Sequence, residues 1–327
     1  MLEKIKGIGM LKDLTYKVII IDDEEDLYED YVEFIEERLK SEGYILNHER
    51  YEELSDLDDN PLNDVDLFLV DLKFGKEDKG PEFIKKIREN HLTDILFYSS
   101  DSKAIQSNRT SGEYQGVFFA IRDENKKEIL ELIGQLIQKM IKRSNTPLSS
   151  RGIVLGCVAE LDNIIKSKIA SILLKIAPDQ RKTLMDKCIK LYYESYKGQS
   201  KKINEFLGCD FHNGIRSWED VKSAYSDYDL NELVNNVKIT DSSKNFNVLL
   251  KTYKSLNGKD EIYTAISGFL ELLDDRNIFA HVQEELNADN NYQFKRLNGT
   301  EYLVLTEEKC RELRAGIVNY YLHISSL

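Results

Sequence analysis

YKVIIIDDEEDL, residues 16–27, decides how the first half of this 327-residue chain is read. The run VIII shows no apolar/polar alternation, which fits a strand covered on both faces, as in a parallel sheet. It stops on two aspartates and gives way to the helical spacing of EEDLYEDYVEFIEERLKSEG. Four further strand-like runs follow: YILNHER (44–50), VDLFLVDLKF (65–74), DILFYSS (94–100) and GVFFAIRD (116–123). Between them lie a weak segment near YEELSDLD, the helical GPEFIKKIRENH, and a polar, poorly helical stretch after Ser100. KKEILELIGQLIQKMIKRSN then carries apolar residues at helical spacing. Five strands alternating with helices predict a doubly wound, five-stranded parallel sheet, which offers ligands the carboxyl ends of its strands.

The period changes after SNTPLSSRG (144–152), a polar stretch with Pro147 and Gly152 that reads as a connection. The expected division is a sheet domain over 1–145, a linker over 146–152 and a helical domain over 153–327. GIVLGCVAELDNIIKSKIASILLKIA and DQRKTLMDKCIKLYYESY read as two long helices, with Pro178 near the start of the second. WEDVKSAY and NELVNNV are weaker helices; NFNVLLKTYKSLN and KDEIYTAISGFLELLDDRNIFAHV are stronger ones. Asn298-Gly299, between two alternating runs, signals a type I′ hairpin, and Thr306 is placed to cap a closing helix. The second half is thus expected to be an all-α bundle with a small β-hairpin.

Composition narrows the function classes. The chain is 41% hydrophobic and 31% charged, with no apolar run long enough for a membrane span and no secretory signal at its start. Cys157, Cys188, Cys209 and Cys310 fall at no paired or metal-like spacing and read as buried thiols in a reducing, cytoplasmic compartment. The net charge of −13 is lopsided: residues 151–327 carry 24 Lys and Arg against 25 Asp and Glu. The acidic first half should repel nucleic acid, whereas the near-neutral second half leaves room for a local basic groove on RNA. A DNA-binding output is disfavoured because no basic recognition helix is present.

The expected sheet gathers chemistry at its carboxyl edge. Asp22 and Asp23 end the first strand, Asp71 the third, Ser99 the fourth and Arg122 the fifth. Clustered carboxylates favour an oxygen-ligated divalent cation, Ser99 offers a hydroxyl to a phosphoryl oxygen, and Arg122 offers balancing charge. With IIIDDEEDL, LVDLKFG, FYSSD and FFAIRD at these places, residues 16–143 resemble the receiver domain of two-component response regulators. The resemblance implies a flavodoxin-like fold and a phosphoacceptor at Asp71, charged by a histidine kinase or a small phosphodonor. It implies Mg²⁺ held by Asp22, Asp23 and Asp71, and switch roles for Ser99, Phe119 and Arg122. Two departures are plain: the family has Lys before Pro where this chain has Arg122-Asp123, and arginine is not an equivalent cation; and the segment after Ser100, DSKAIQSNRTSGEYQG, is polar and poorly helical.

The second half carries one sparse constellation, RNIFAH (276–281), in which Arg276 and His281 lie five residues and about 140° apart around a helix. Histidine moves protons near neutrality and arginine stabilises charge on phosphate; RNA supplies its own nucleophile, the 2′-OH. Ile278 and Phe279 are expected to face the core. Late in a helical bundle, with a polar Asn277 beside the Arg, residues 151–327 resemble the HEPN superfamily and its Arg-polar-x3-His signature. The resemblance implies a homodimeric, metal-independent endoribonuclease, of the kind found in toxin and phage-defence systems, with Arg276, Asn277 and His281 as its catalytic set. The competing expectation is a response regulator whose helical half only dimerises or binds a nucleotide or a protein. His212 near Cys209 lacks further ligands and gives no metal site.

Overall fold

The computed structural model describes residues 11–52, 57, 64–72, 84, 93–111, 115–207, 217–219, 221, 230–236, 240–296 and 300–327. Five parallel strands make the first sheet: β1 (Thr15–Ile21), β2 (Ile45–Tyr51), β3 (Leu67–Asp71), β4 (Asp94–Ser99) and β5 (Val117–Ile121). Their order is β2-β1-β3-β4-β5, so the chain reverses its direction of winding between β1 and β3. Strand residues alternate between two cores. Val18, Ile20, Leu67, Leu69, Leu96 and Tyr98 face one, and Ile19, Ile21, Phe68, Val70, Ile95 and Phe97 face the other. Burial on both sides is why β1 and β3 read as unbroken apolar runs.

Helix α1 (Glu25–Ser41) follows β1 and buries Leu27, Tyr31, Ile35 and Leu39 at helical spacing. The segment after Ser100 forms helix α2 (Ser102–Ser111), contrary to its polar, unhelical reading. Asp101 explains the difference: its Oδ1 accepts the N–H groups of Lys103 (3.0 Å) and Ala104 (3.2 Å), while Ile105 anchors the helix by full burial. Helix α3 (Lys127–Ser144) closes the sheet half. Most of the helix expected at GPEFIKKIRENH, of the segment near YEELSDLD and of WEDVKSAY, together with the Asn298-Gly299 turn, Cys209 and His212, lies outside the described residues.

The stretch 146–152 is not an extended connection. Helix α4 (Pro147–Lys175) begins there, with Pro147 at its first position and Thr146 Oγ1 accepting the Ser149 N–H. Only Asn145 and Thr146 separate α3 from α4. Among the described residues, helices α5 (Pro178–Leu207), α6 (Leu230–Asn235), α7 (Ser242–Asn257), α8 (Glu261–Ser267), α9 (Phe269–His281) and α10 (Glu307–Ser325) follow in the second half. The single helix expected over 259–282 is broken at Gly268, against which the Tyr320 hydroxyl packs 2.7 Å from where a Cβ would stand. Thr306 caps α10 as expected. The hairpin is present as β7 (Tyr292–Lys295) and β8 (Tyr302–Leu305), joined by an unexpected third strand, β6 (Glu285–Leu286).

The halves share one core, which runs from the sheet through α3 and α4 into α10. A polar joint reinforces it. Buried Arg314 of α10 donates from Nε to the Glu42 carbonyl (2.8 Å) and from Nη1 to Asn145 Oδ1 (2.8 Å), and stacks on Tyr44. Gly43, at φ +79°, is required here: a Cβ would meet the Ala315 backbone nitrogen at 2.6 Å.

Candidate functional site

At the carboxyl edge of the sheet, the predicted residues stand where the strand order places them. Asp22 follows β1, Asp71 ends β3, Ser99 ends β4 and Arg122 follows β5. Asp22, Asp71 and Ser99 are all buried, at 0, 3 and 1% exposure, whereas Asp23 is exposed. Arg122 is fixed at its backbone by donating to the Ser99 carbonyl (2.8 Å). Its guanidinium then spans the edge, pairing with Asp71 Oδ2 (3.4 Å) and Glu24 Oε1 (2.8 Å). Burial works against that positive charge, and Asp71 and Glu24 more than offset it.

Asp22 is engaged on both oxygens. Oδ1 accepts the Glu24 N–H (2.8 Å) and Oδ2 accepts the Tyr98 hydroxyl (2.6 Å). Burial still holds its carboxyl above the ordinary range, because the two hydrogen bonds do not fully replace lost water. Burial likewise raises the Tyr98 phenol, with the neighbouring Asp22 adding to it. Tyr31 packs edge-on against Tyr98 (5.4 Å between centroids), and its buried hydroxyl has no hydrogen-bond partner among the described residues. Arg50 holds the adjoining loop from the other side, donating to the carbonyls of Asp22 (3.2 Å) and Asp23 (2.9 Å). Phe119 stacks on Phe97 at 5.7 Å, and Ser99 Oγ accepts the Asp101 N–H at 3.2 Å.

This arrangement bears on the expected Mg²⁺. Among the described residues, no three His, Cys, Asp or Glu side chains are grouped to hold a metal. Asp22 already has a donor on each oxygen, Asp23 lies out in solvent, and Asp71 faces a guanidinium. As they stand, these residues do not fit a divalent cation. Glu24, Arg50, Tyr31 and Tyr98 were not singled out from the sequence. Only Glu24, beside the DD pair, carried a local signal.

The second constellation lies on α9. Ile278 and Phe279 are buried, as expected, and leave Arg276 and Asn277 half-buried and His281 exposed at the helix's last position. Arg276 Nη1 donates to Asn277 Oδ1 (3.0 Å), while Arg276 Nε is buried without a partner among the described residues. Two neighbours missed by the sequence reading fix this helix. Asp275, 8% exposed, pairs with Arg296 (3.1 Å) and Lys309 (3.7 Å), tying α9 to the small sheet and to α10. Arg151 of α4 donates to the Val282 carbonyl (2.6 Å), pairs with Glu284 (2.5 Å) and lies 5.2 Å over Phe294. Phe294 in turn meets Phe279 edge-on at 5.0 Å, so the residues flanking His281 are held from two sides. In chemical terms α9 offers one oriented guanidinium and one solvent-facing imidazole.

Cys157, Cys188 and Cys310 are buried free thiols, as expected; burial pushes Cys188 up to about 12. Among the described residues, no helix is long and apolar enough to cross a membrane. The chain matches no protein-family model and no curated protein.

Proposed function

We propose that the chain is a receiver-gated, metal-independent endoribonuclease whose HEPN-like helical half cleaves RNA as a homodimer, in the manner of a toxin or phage-defence effector. The observation that carries the reading is α9 itself: Arg276 held by Asn277 on a helix that ends at exposed His281. In this mechanism one His281 takes the proton from a ribose 2′-OH as the 2′-oxygen bonds to phosphorus. The P–O5′ bond breaks, and the His281 of the second copy protonates the leaving oxygen. Arg276 stabilises the charge on the pentacoordinate phosphorus, and Asn277 orients Arg276. The products are 2′,3′-cyclic phosphate and 5′-OH ends. No metal is needed at this site.

The sheet half supplies the gate, with Asp71 accepting a phosphoryl group from a histidine kinase or small phosphodonor. Arg122, Ser99 and Phe119 respond at neighbouring strand ends. The shared core and the Arg314 joint give the gate a physical route to the helices.

Incubating total RNA with the full chain in EDTA tests the reading, with and without prior treatment by a small phosphodonor. Cleavage should survive chelation and fall by about 10²–10⁴-fold in both His281→Ala and Arg276→Ala. Activity retained in either variant would sink the mechanism. A second reading, a non-catalytic binding module, is favoured by Leu286, Tyr292 and Tyr302, large apolar side chains exposed on the small sheet that follows α9. Absence of cleavage under every condition, together with dimerisation or protein binding lost on Tyr292→Ser, would select it.

A further inference from the structure

The acidic edge of the sheet is crowded with negative charge, yet it is not a vacant cation site. Asp22 and Asp71 are buried there, with Glu24 at the rim and Asp23 in solvent, and two arginines enter from opposite sides. Arg50 approaches from the end of β2 and ties down the backbone carbonyls of Asp22 and Asp23, leaning on the Tyr28 ring at 5.6 Å. Arg122 approaches from the end of β5, and its side chain is only 12% exposed. It reaches back past β4 to Asp71 and on to Glu24, which sits at the start of α1. One guanidinium therefore bridges the carboxylates of two separate chain segments, the geometry a shared metal ion ordinarily imposes.

We propose that Arg122 is the resident cation of this pocket: its guanidinium neutralises Asp71 and Glu24 in the place a divalent ion would take, and a divalent ion enters only when Arg122 is displaced. Three features support it independently of one another. Asp22 has a donor on each oxygen, so both are partly spent before any ion arrives. The backbone from Asp22 to Asp23 is pinned by Arg50 at both carbonyls, which fixes the points from which the two side chains set out. Arg122 Nη1 is buried with no hydrogen-bond partner among the described residues, held at ion-pair range by Asp71, so a second cation beside it would meet direct repulsion in a poorly solvated space. A lysine at this place would present a compact point charge; the planar fork of arginine spans two carboxylates at once.

The regulatory meaning of the idea rests on the receiver reading of Asp71, but its measurement does not. Titration calorimetry of MgCl₂ into the full chain, without RNA or phosphodonor, compares wild type, Arg122→Met, Glu24→Gln and the double variant Arg122→Met/Asp71→Asn. Wild type should bind Mg²⁺ weakly or not at all in the low millimolar range. Arg122→Met should bind at least about tenfold tighter, and adding Asp71→Asn should erase the gain. Glu24→Gln frees one end of the guanidinium and should give an intermediate gain; it carries the test if Arg122→Met fails to fold, as judged by circular dichroism. Wild type binding Mg²⁺ as tightly as Arg122→Met overturns the proposal. So does a folded Arg122→Met, or failing that a folded Glu24→Gln, with no gain over wild type. RNA cleavage is not read in any arm, so failure here leaves the ribonuclease reading standing, and the converse holds equally.

Discussion

The two candidate sites of this chain are built on opposite plans. The acidic edge collects side chains from five strand ends, buries most of them and gives nearly every charge a partner within the same molecule. The α9 site draws Arg276, Asn277 and His281 from one short helix and leaves the imidazole exposed at its end. A region whose groups satisfy each other contributes to folding and resists change. A region with open valences contributes little to folding and is free for chemistry with something outside. Substitutions in the first should register as lost stability, and in the second as lost activity, with the joint between the halves as the most sensitive structural point.

That joint gives the largest expected effect on stability. Gly43 holds a left-handed backbone against Arg314 and Ala315 of the last helix, where a Cβ has no room. Gly43→Ala should lose about 3 kcal/mol of unfolding free energy, from left-handed strain plus overpacking against backbone that cannot yield. Urea unfolding followed by circular dichroism measures it. A loss below about 1 kcal/mol would show that the halves do not lean on each other here.

Within the acidic edge, Asp22→Ala strands the Tyr98 hydroxyl in a buried position without its acceptor and frees the Glu24 N–H. The expected cost is about 2 kcal/mol. Tyr98→Phe in the same background should recover part of it, since the stranded donor is then gone. No recovery would mean that the 2.6 Å hydrogen bond is not what Asp22 contributes.

How much of this was legible in the sequence follows from the range of each interaction. Uninterrupted runs such as VIII and LFLV announce strands buried on two faces, and the order of those strands then dictates that Asp71, Ser99 and Arg122 share an edge. Which partner each takes is another matter. Asp22 and Tyr98 are 76 residues apart, and nothing local says that a tyrosine inside an apolar run will donate to that carboxylate. Arg151 and Val282 are 131 apart, and Glu42 and Arg314 are 272 apart. The short-range errors have short-range causes. Asp101 supplies a cap that rescues a polar helix, and Gly268 reads as an ordinary helix interior until Tyr320 is seen to need its space. RNIFAH was visible as a pattern, but Asp275 next to it looks like one more surface acid until Arg296 and Lys309 arrive.

The smallest expected effect is the most telling for the comparison. His281→Ala removes an exposed ring at the end of α9, where the adjoining backbone is already held by Arg151 through Val282 and by Phe294 against Phe279. No described side chain depends on the imidazole for a hydrogen bond, so unfolding free energy should stay within about 0.5 kcal/mol of wild type. Asp275→Ala, six residues earlier on the same helix, should cost several times more, because it leaves Arg296 and Lys309 without their shared carboxylate. Denaturation curves for the pair separate a residue that holds the helix from one that the helix merely presents. A large stability loss in His281→Ala would reassign it to the first kind and remove the ground for reading α9 as a place where chemistry happens. A substitution silent in folding that abolishes cleavage is what the proposed dimeric site predicts for His281.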